Sequence, residues 1–286
     1  MAGEQTRAAI GAQPEWLRAL RVEQRLPPGR VVLTGCGTSY HAAQTGGEAL
    51  QALDAVLNPP EADVLVCVSH EGNTPLTLEA ARAFDGPRWL VGGTAEGPIA
   101  ALCDEVVVAT PGIEQSWCHT ASYTCAVAAL AALRCEDVSW LADAVEEALS
   151  GGREPVSGHD RWLVAGAGRD WPTAQEAALK LREGAFVAAE AHHTEQLLHG
   201  HLAAVDESVR ALVLEGEGRA AERAADAAAA LRELGCDVTL VPTRHPAIDI
   251  VRFQLLTVDL AAARGVDPDR IRRDDGRWAR ARAAYQ

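Results

Sequence analysis

Arg30-Val31-Val32-Leu33-Thr34-Gly35-Cys36-Gly37-Thr38-Ser39 is the stretch on which the fold turns. A short β-branched run ends in a glycine turn, and Tyr40 to Leu53 then reads as a helix. An unbroken apolar run bounded by turn residues fits a strand buried on both faces. The signature returns at Trp162-Leu163-Val164-Ala165-Gly166-Ala167-Gly168, followed by a helix from about Thr173. Between the two copies, 63–69, 89–92 and 105–109 read as strands, and Pro75 to Phe84 and Ser122 to Leu133 as helices. After the second copy, 209–214 and 237–241 read as strands, with helices over Ala220 to Leu234 and Phe253 to Ala263. An opening helix is expected from Glu15 to Arg25, stopped by Leu26-Pro27-Pro28-Gly29. Strand, loop and helix in series imply a parallel sheet covered on both faces. The expected class is therefore α/β, with two tandem doubly wound units, residues 1–150 and 151–286, joined at Gly151-Gly152-Arg153-Glu154-Pro155.

Composition narrows the partners. The chain has 286 residues, and Lys+Arg 26 against Asp+Glu 40 gives a formal charge of −14. That balance argues against a nucleic acid or an anionic membrane held by bulk charge. Any anionic ligand must be held by local groups. Seven cysteines with no C-x-x-C pair read as reduced, packed thiols and not as a disulfide frame or zinc site. The opening MAGEQTRAAIGAQPEW lacks the apolar stretch of a signal peptide, so a soluble, cytoplasmic protein is expected. Of the basic residues all are Arg but one, Lys180. Such a bias fits codon composition as well as it fits a position that needs a compact ammonium.

In sheets of this kind ligands bind beyond the carboxyl ends of the strands. Two loops fall there. Ser69-His70-Glu71-Gly72-Asn73-Thr74 offers hydroxyls and backbone N–H groups before a helix, either as an anion or polyol cradle or as a turn capped by Thr74. Gly35 to Ser39 behaves similarly, but lacks the lysine of a phosphate-binding P-loop and the third glycine of a dinucleotide fingerprint. Farther on, Glu176, Lys180 and Glu183 share one helix face by i,i+4 and i,i+3 spacing. Four histidines come after them at 192, 193, 199 and 201. Metal binding, acid–base work and a purely structural role all fit that cluster.

Taken in order, Gly35 to Tyr40, Ser69 to Thr74, Glu176 to Glu183, and Ala189 through Gly200 resemble the sugar isomerase (SIS) family over nearly the whole chain. The likeness is to its double-domain members, which include the isomerase half of glucosamine-6-phosphate synthase and free-standing phosphosugar isomerases and deaminases. The resemblance implies a flavodoxin-like sheet order and an open-chain sugar between the two units. It implies Glu183 as the base that moves a proton between C1 and C2, and Lys180 as its electrostatic support. His199, reaching over from the neighbouring subunit of a homodimer, would assist ring opening. Gly37, Thr38, Ser39, Ser69, His70, Glu71, Thr74 and His119 are the expected substrate-binding residues. No metal or cofactor is implied. With no glutaminase segment ahead of Met1-Ala2, an ammonia-generating synthase is not expected.

Three departures stand beside the matches. The family's phosphate loop usually has a serine where this chain has Glu71, and two anions about 4 Å apart in a partly desolvated site cost several kcal/mol. Either His70 supplies a compensating proton, or Glu71 turns away, or the ligand carries no phosphate there. A second hydroxyl of the family is replaced by His119. The family's C-terminal lysine falls near Arg273 or Asp274, neither of which can form an imine. The expected function is an aldose–ketose isomerase acting on a sugar or (amino)sugar phosphate. An amino-sugar-phosphate deaminase and a non-catalytic sugar-phosphate sensor are the alternatives.

Overall fold

In the computed structural model, which describes residues 2–285, the chain begins with α1 (Glu4–Ala19) and runs extended into β1 (Val31–Gly35) and α2 (Thr38–Gly46). The first sheet is completed through β2 (Ala49–Gln51), α3 (Ala52–Leu57), β3 (Val64–Val68), α4 (Pro75–Ala83), β4 (Arg88–Gly92) and β5 (Glu105–Val108). Two helices, α5 (Ala121–Leu133) and α6 (Leu141–Ser150), lead to β6 (Arg161–Gly166) and α7 (Trp171–Ala185). Then come β7 (Ala188–His193), α8 (Thr194–Leu198), β8 (Val209–Leu214), α9 (Arg219–Glu233), β9 (Asp237–Val241), α10 (Pro246–Arg264) and α11 (Gly276–Arg282).

All strand pairs are parallel, in the orders β2-β1-β3-β4-β5 and β7-β6-β8-β9. This is the expected α/β architecture. The order reverses beside β1 and β6, which puts a crevice at the carboxyl ends of β1 and β3 and another at those of β6 and β8. The two glycine turns are geometric copies. A Cβ on Gly35 would come within 2.9 Å of the Ser39 backbone, and one on Gly166 within 2.8 Å of the Asp170 carbonyl oxygen. Gly37 (φ 54°) and Gly168 (φ 57°) each take the left-handed conformation that lets the strand turn sharply into its helix. One apolar core runs through both sheets' inner helices, from Leu33 and Val66 through Leu130 to Leu181 and Phe253.

Local expectations fail where tertiary partners override local signals. The opening helix starts at Glu4, not Glu15, and ends before the predicted stop. Pro14 lies inside it, and the carbonyl of Ile10 that a proline cannot serve accepts the Gln13 side-chain amide instead (2.9 Å). Its first turn is closed by Asp269, whose carboxylate accepts the N–H groups of Gln5 (3.0 Å) and Thr6 (2.8 Å). The helix expected over 40–53 breaks at Gly46-Gly47. A Cβ on Gly46 would strike Leu33 at 2.7 Å, and Gly47 has φ 142°. The chain then adds β2 to the sheet edge. Among the described residues no helix is long and apolar enough to cross a membrane.

Candidate functional site

Helix α7 begins at the second glycine turn and points its polar face at α2 of the first sheet. Glu176 (0% exposed) and Lys180 (1%) lie one turn apart and Glu183 (27%) three residues further on. Lys180 Nζ donates to Glu183 Oε2 at 2.6 Å and to the Thr38 hydroxyl at 3.1 Å, and stands 3.4 Å from Glu176 Oε1. Thr38, the first residue of α2, donates in turn to Glu176 Oε1 (3.1 Å), while His41 Nδ1 meets Glu176 Oε2 at 2.7 Å. The predicted pair Glu183–Lys180 is thus brought together, and Thr38, from the helix that follows β1 of the first sheet, joins it.

The electrostatics follow from burial. Removal from water pushes the Glu176 carboxyl upward, but the Lys180 ammonium, His41 and Thr38 outweigh it and hold it below the ordinary carboxylate range. Burial likewise opposes the Lys180 charge, yet Glu183 and Glu176 together raise its pKa well above the ordinary ammonium value. Lys180 is a permanent cation between two carboxylates. Cys118 packs against this end of α7, its Sγ 3.4 Å from where a Cβ on Gly184 would sit, and burial pushes its thiol up to about 12.

The loop over 69–74 is braced internally. Ser69 and Thr74 hydroxyls meet at 3.1 Å, so Thr74 stands at the N-cap of α4 without a side-chain bond to the helix backbone. His70 Nε2 accepts the Glu114 N–H at 2.9 Å, and its ring meets His119 edge-on at 5.3 Å. Burial first, then the neighbouring His119, lowers its pKa to about 4. A neutral ring whose Nε2 is already an acceptor does not hand a proton to Glu71, which corrects one of the three expectations for that carboxylate. Glu71 is instead partnered by Asn73 Nδ2 at 3.2 Å. Glu114 fixes the loop that carries His119, its carboxylate accepting the N–H of Thr120 (2.7 Å) and Ser122 (2.9 Å) at the start of α5. Gly37 backs onto Leu179 of α7, at 3.9 Å from its would-be Cβ.

A narrow cleft of about 20 Å³ separates Thr38, Ser39, His70, Thr110, His119 and Ser122. A larger surface groove of about 850 Å³ lies along residues 17–25 and the α5–α6 connection; the Glu176–Lys180–Glu183 group lines neither space, but it touches the narrow cleft through Thr38, which the groove does not include. Volume and chemistry disagree here, and the convergence of titratable groups decides for the crevice. His199 is not part of the cluster within one chain. It is 70% exposed at the end of α8 and bonded to Glu195 at 2.8 Å. Neither Glu176 nor His41 was among the expected site residues. The i,i+4 spacing to Lys180 marks Glu176, whereas His41 has no signal in its own segment.

Residues 157–267 match the SIS domain family. Over 93% of its length the chain is 26% identical to a glutamine–fructose-6-phosphate aminotransferase (isomerizing) from Symbiobacterium thermophilum, of which it covers 53%. The chain spans about half the length of the curated relatives it matches. Among solved structures it shares the fold of a glucosamine-6-phosphate deaminase from Thermotoga maritima (TM-score 0.76, 18% identity, 93% of this chain and 97% of that one). It also shares that of a tagatose-6-phosphate ketose/aldose isomerase from Escherichia coli (TM-score 0.76, 19% identity, 94% and 95%). The SIS match takes in all of α7 and therefore the whole Glu176–Lys180–Glu183 face.

Proposed function

We propose that the protein is an aldose–ketose isomerase acting on a sugar or amino-sugar phosphate, built from two SIS-type units over residues 1–150 and 151–286. The observation that carries the reading is the position of Glu183. It is the part of the buried polar group that stays open to a ligand, and it receives the chain's single ammonium at 2.6 Å. A carboxylate that meets a fixed cation on one side and is open on the other is placed to take a proton from a bound ligand. Glu183 removes the hydrogen from one of two adjacent carbons, C1 or C2, and an enediol forms. The same carboxyl returns the proton to the other carbon, while the carbonyl oxygen takes a proton from solvent and the neighbouring hydroxyl gives one back, so one base on one face serves both carbons and the oxygens balance through water. Lys180 sustains the negative charge through the step and is itself held by Glu176 and Thr38.

Gly37, Thr38, Ser39, Ser69, His70, Glu71, Thr74 and His119 receive the rest of the sugar, a role supported for Thr38, Ser39, His70 and His119 by their place in the lining of the cleft, with His70 acting as a brace for its loop. His199 opens the sugar ring from the second subunit of a homodimer; its exposure and its place outside the cluster of its own chain support that assignment. Seven free thiols fit a reducing cytoplasm.

The test is deuterium incorporation. Wild-type protein is incubated in D₂O with hexose and hexosamine 6-phosphates, and label at C1 or C2 is read by proton NMR beside ketose formation. Glu183→Gln should lower exchange by about 10²–10⁴-fold, the range of a lost general base, while ligand-induced thermal shifts persist. Undiminished exchange in that variant ends the proposal. Free ammonia in the same samples would reassign the chemistry to a deaminase, and binding without exchange in the wild type would reassign it to a sensor.

A further inference from the structure

The segment after α10 carries the chain's most unusual backbone. Ile271 (φ 40°) and Arg272 (φ 59°) stand consecutively in the left-handed region, where a β-branched side chain is disfavoured. Such strain persists only where the surroundings over-determine it. Here they do. The Arg272 guanidinium is clamped between the rings of Phe186 (4.3 Å) and Trp278 (4.2 Å). Phe186 lies three residues beyond Glu183, so the clamp is anchored at the end of α7. Asp269 ties the same segment to the other side of the crevice, its carbonyl accepting the Trp117 N–H at 3.0 Å.

The strained turn delivers the next residue. Arg273 lies flat on the Trp117 ring, its Cζ 3.5 Å from the ring centroid. Trp117 opens the Trp117-Cys118-His119 stretch, in which Cys118 packs against α7 and His119 against His70. Arg273 therefore stands over the rim joining the proton-transfer group to the 69–74 loop. Its Nε is buried without a hydrogen-bond partner, and no carboxylate among the described residues forms an ion pair with it. By contrast, the neighbouring Arg270 is paired with Asp274 at 2.6 Å. Burial, followed by the nearby charge of Arg282, presses Arg273 below the ordinary guanidinium range, and Glu71 is the first of the groups acting the other way.

A half-buried planar cation with free donors, stacked on an aromatic ring beside a ligand crevice, is short of one partner: an anion that takes two of its N–H groups at once. We infer that Arg273 is the specificity-determining residue of the crevice and receives an anionic group of the substrate, a phosphate ester or a carboxylate, beside Glu71. This rests on the reading of the crevice as a sugar site. It also accounts for Glu71: a carboxylate facing an anion is tolerated when a guanidinium stands between the two.

Affinities for fructose, fructose 6-phosphate and glucuronate are measured by calorimetry on wild type, Arg273→Gln and Arg273→Lys. One of the two anions should bind the wild type at least tenfold tighter than fructose, and which one does so separates phosphate from carboxylate. Arg273→Gln should erase that margin and flatten its dependence on salt, while Arg273→Lys, a point charge without the fork, restores part of it. Fructose affinity and melting temperature report whether the variants remain folded. A margin kept within twofold in Arg273→Gln overturns the inference, as does a wild type that shows no margin. In either case deuterium exchange dependent on Glu183 leaves the isomerase reading standing, so the two failures are told apart.

Discussion

Replacing Lys180 by Met keeps the length of the side chain and removes its charge, and the contacts of the ammonium set the consequence. Glu183 (2.6 Å), Thr38 (3.1 Å) and Glu176 (3.4 Å) all lose their cation. Glu183 can turn to water, but Glu176 is fully buried and keeps only His41 and Thr38. Breaking a buried ion pair from one side costs about 3–5 kcal/mol, because a charge is left without compensation. That is a large share of the roughly 5–15 kcal/mol that holds a typical domain together. The pH dependence supplies the sign. In the wild type Glu176 titrates below its unfolded value, so its stabilisation is complete at neutral pH and fades only as pH falls through the folded pKa. Lys180 titrates above its unfolded value, so its share is also complete at neutral pH. Without the ammonium, burial pushes Glu176 up instead, and the buried carboxyl binds a proton that the unfolded chain releases. The deficit of Lys180→Met should therefore be greatest near pH 7.5 and shrink toward pH 5. Adding Glu176→Gln should recover about 2 kcal/mol or more at pH 7.5, since no buried charge is then stranded. Urea unfolding followed by tryptophan fluorescence at fixed protein concentration measures all four proteins of the cycle. A deficit under about 1 kcal/mol, a deficit unchanged at pH 5, or a double variant no better than Lys180→Met would each refute the account.

Two further tests concern the frame around the site. Burial raises the Asp249 carboxyl to about 7, against the opposing N–H of Arg244. The native chain then holds a proton that the unfolded chain has lost between about pH 4 and 7, a shift that lowers stability by at most about 4 kcal/mol across that window. Asp249→Asn should flatten the fall in melting temperature between pH 5 and pH 8, and an unaltered slope contradicts this. Gly184 faces Thr257, whose Cγ2 would lie 2.3 Å from an added Cβ, while the Thr257 hydroxyl is committed to the Phe253 carbonyl at 2.8 Å. Gly184→Ala should cost about 1–3 kcal/mol by overpacking, and Thr257→Ser, which removes that methyl, should restore most of it in chemical denaturation.

What local sequence carries is what local sequence made legible. The strand–glycine–helix signature at 30–39 and 162–168 is a short-range geometric demand, and both copies fold as read. The shared face of Glu176, Lys180 and Glu183 is likewise fixed by helix pitch alone. The failures are all long-range. Ala188-Ala189-Glu190-Ala191-His192-His193 has no β-branched residue and becomes strand β7 because β6 offers it an unpaired edge. The first helix continues through Pro14 because Gln13 satisfies the freed carbonyl while also donating to Gln254, 241 positions away. His41 reaches the site only because α2 of one sheet packs against α7 of the other, and nothing near His41 announces Glu176.

The same long-range packing explains why one of two copied crevices holds the Glu176–Lys180–Glu183 group. Both sheets present a glycine turn, and both turns start a helix. The helix after the first turn is cut at Gly46 by the Leu33 side chain and runs nine residues. The helix after the second runs fifteen and carries its last turns, with Lys180 and Glu183, across to Thr38 at the opening of the first. Each sheet therefore supplies what the other lacks: the first a short hydroxyl-bearing helix start and the 69–74 loop, the second a long helix with an acid–cation–acid face. Gly46→Ala would drive a methyl into Leu33 and loosen the β1–α2 packing that holds Thr38, so the Lys180 ammonium would lose its hydroxyl partner. Deuterium exchange should then fall further than the melting temperature alone would predict, whereas the companion change Gly11→Ala, on a surface of α1 with nothing within 4 Å, should leave exchange unaltered and raise the melting temperature slightly through helix propensity.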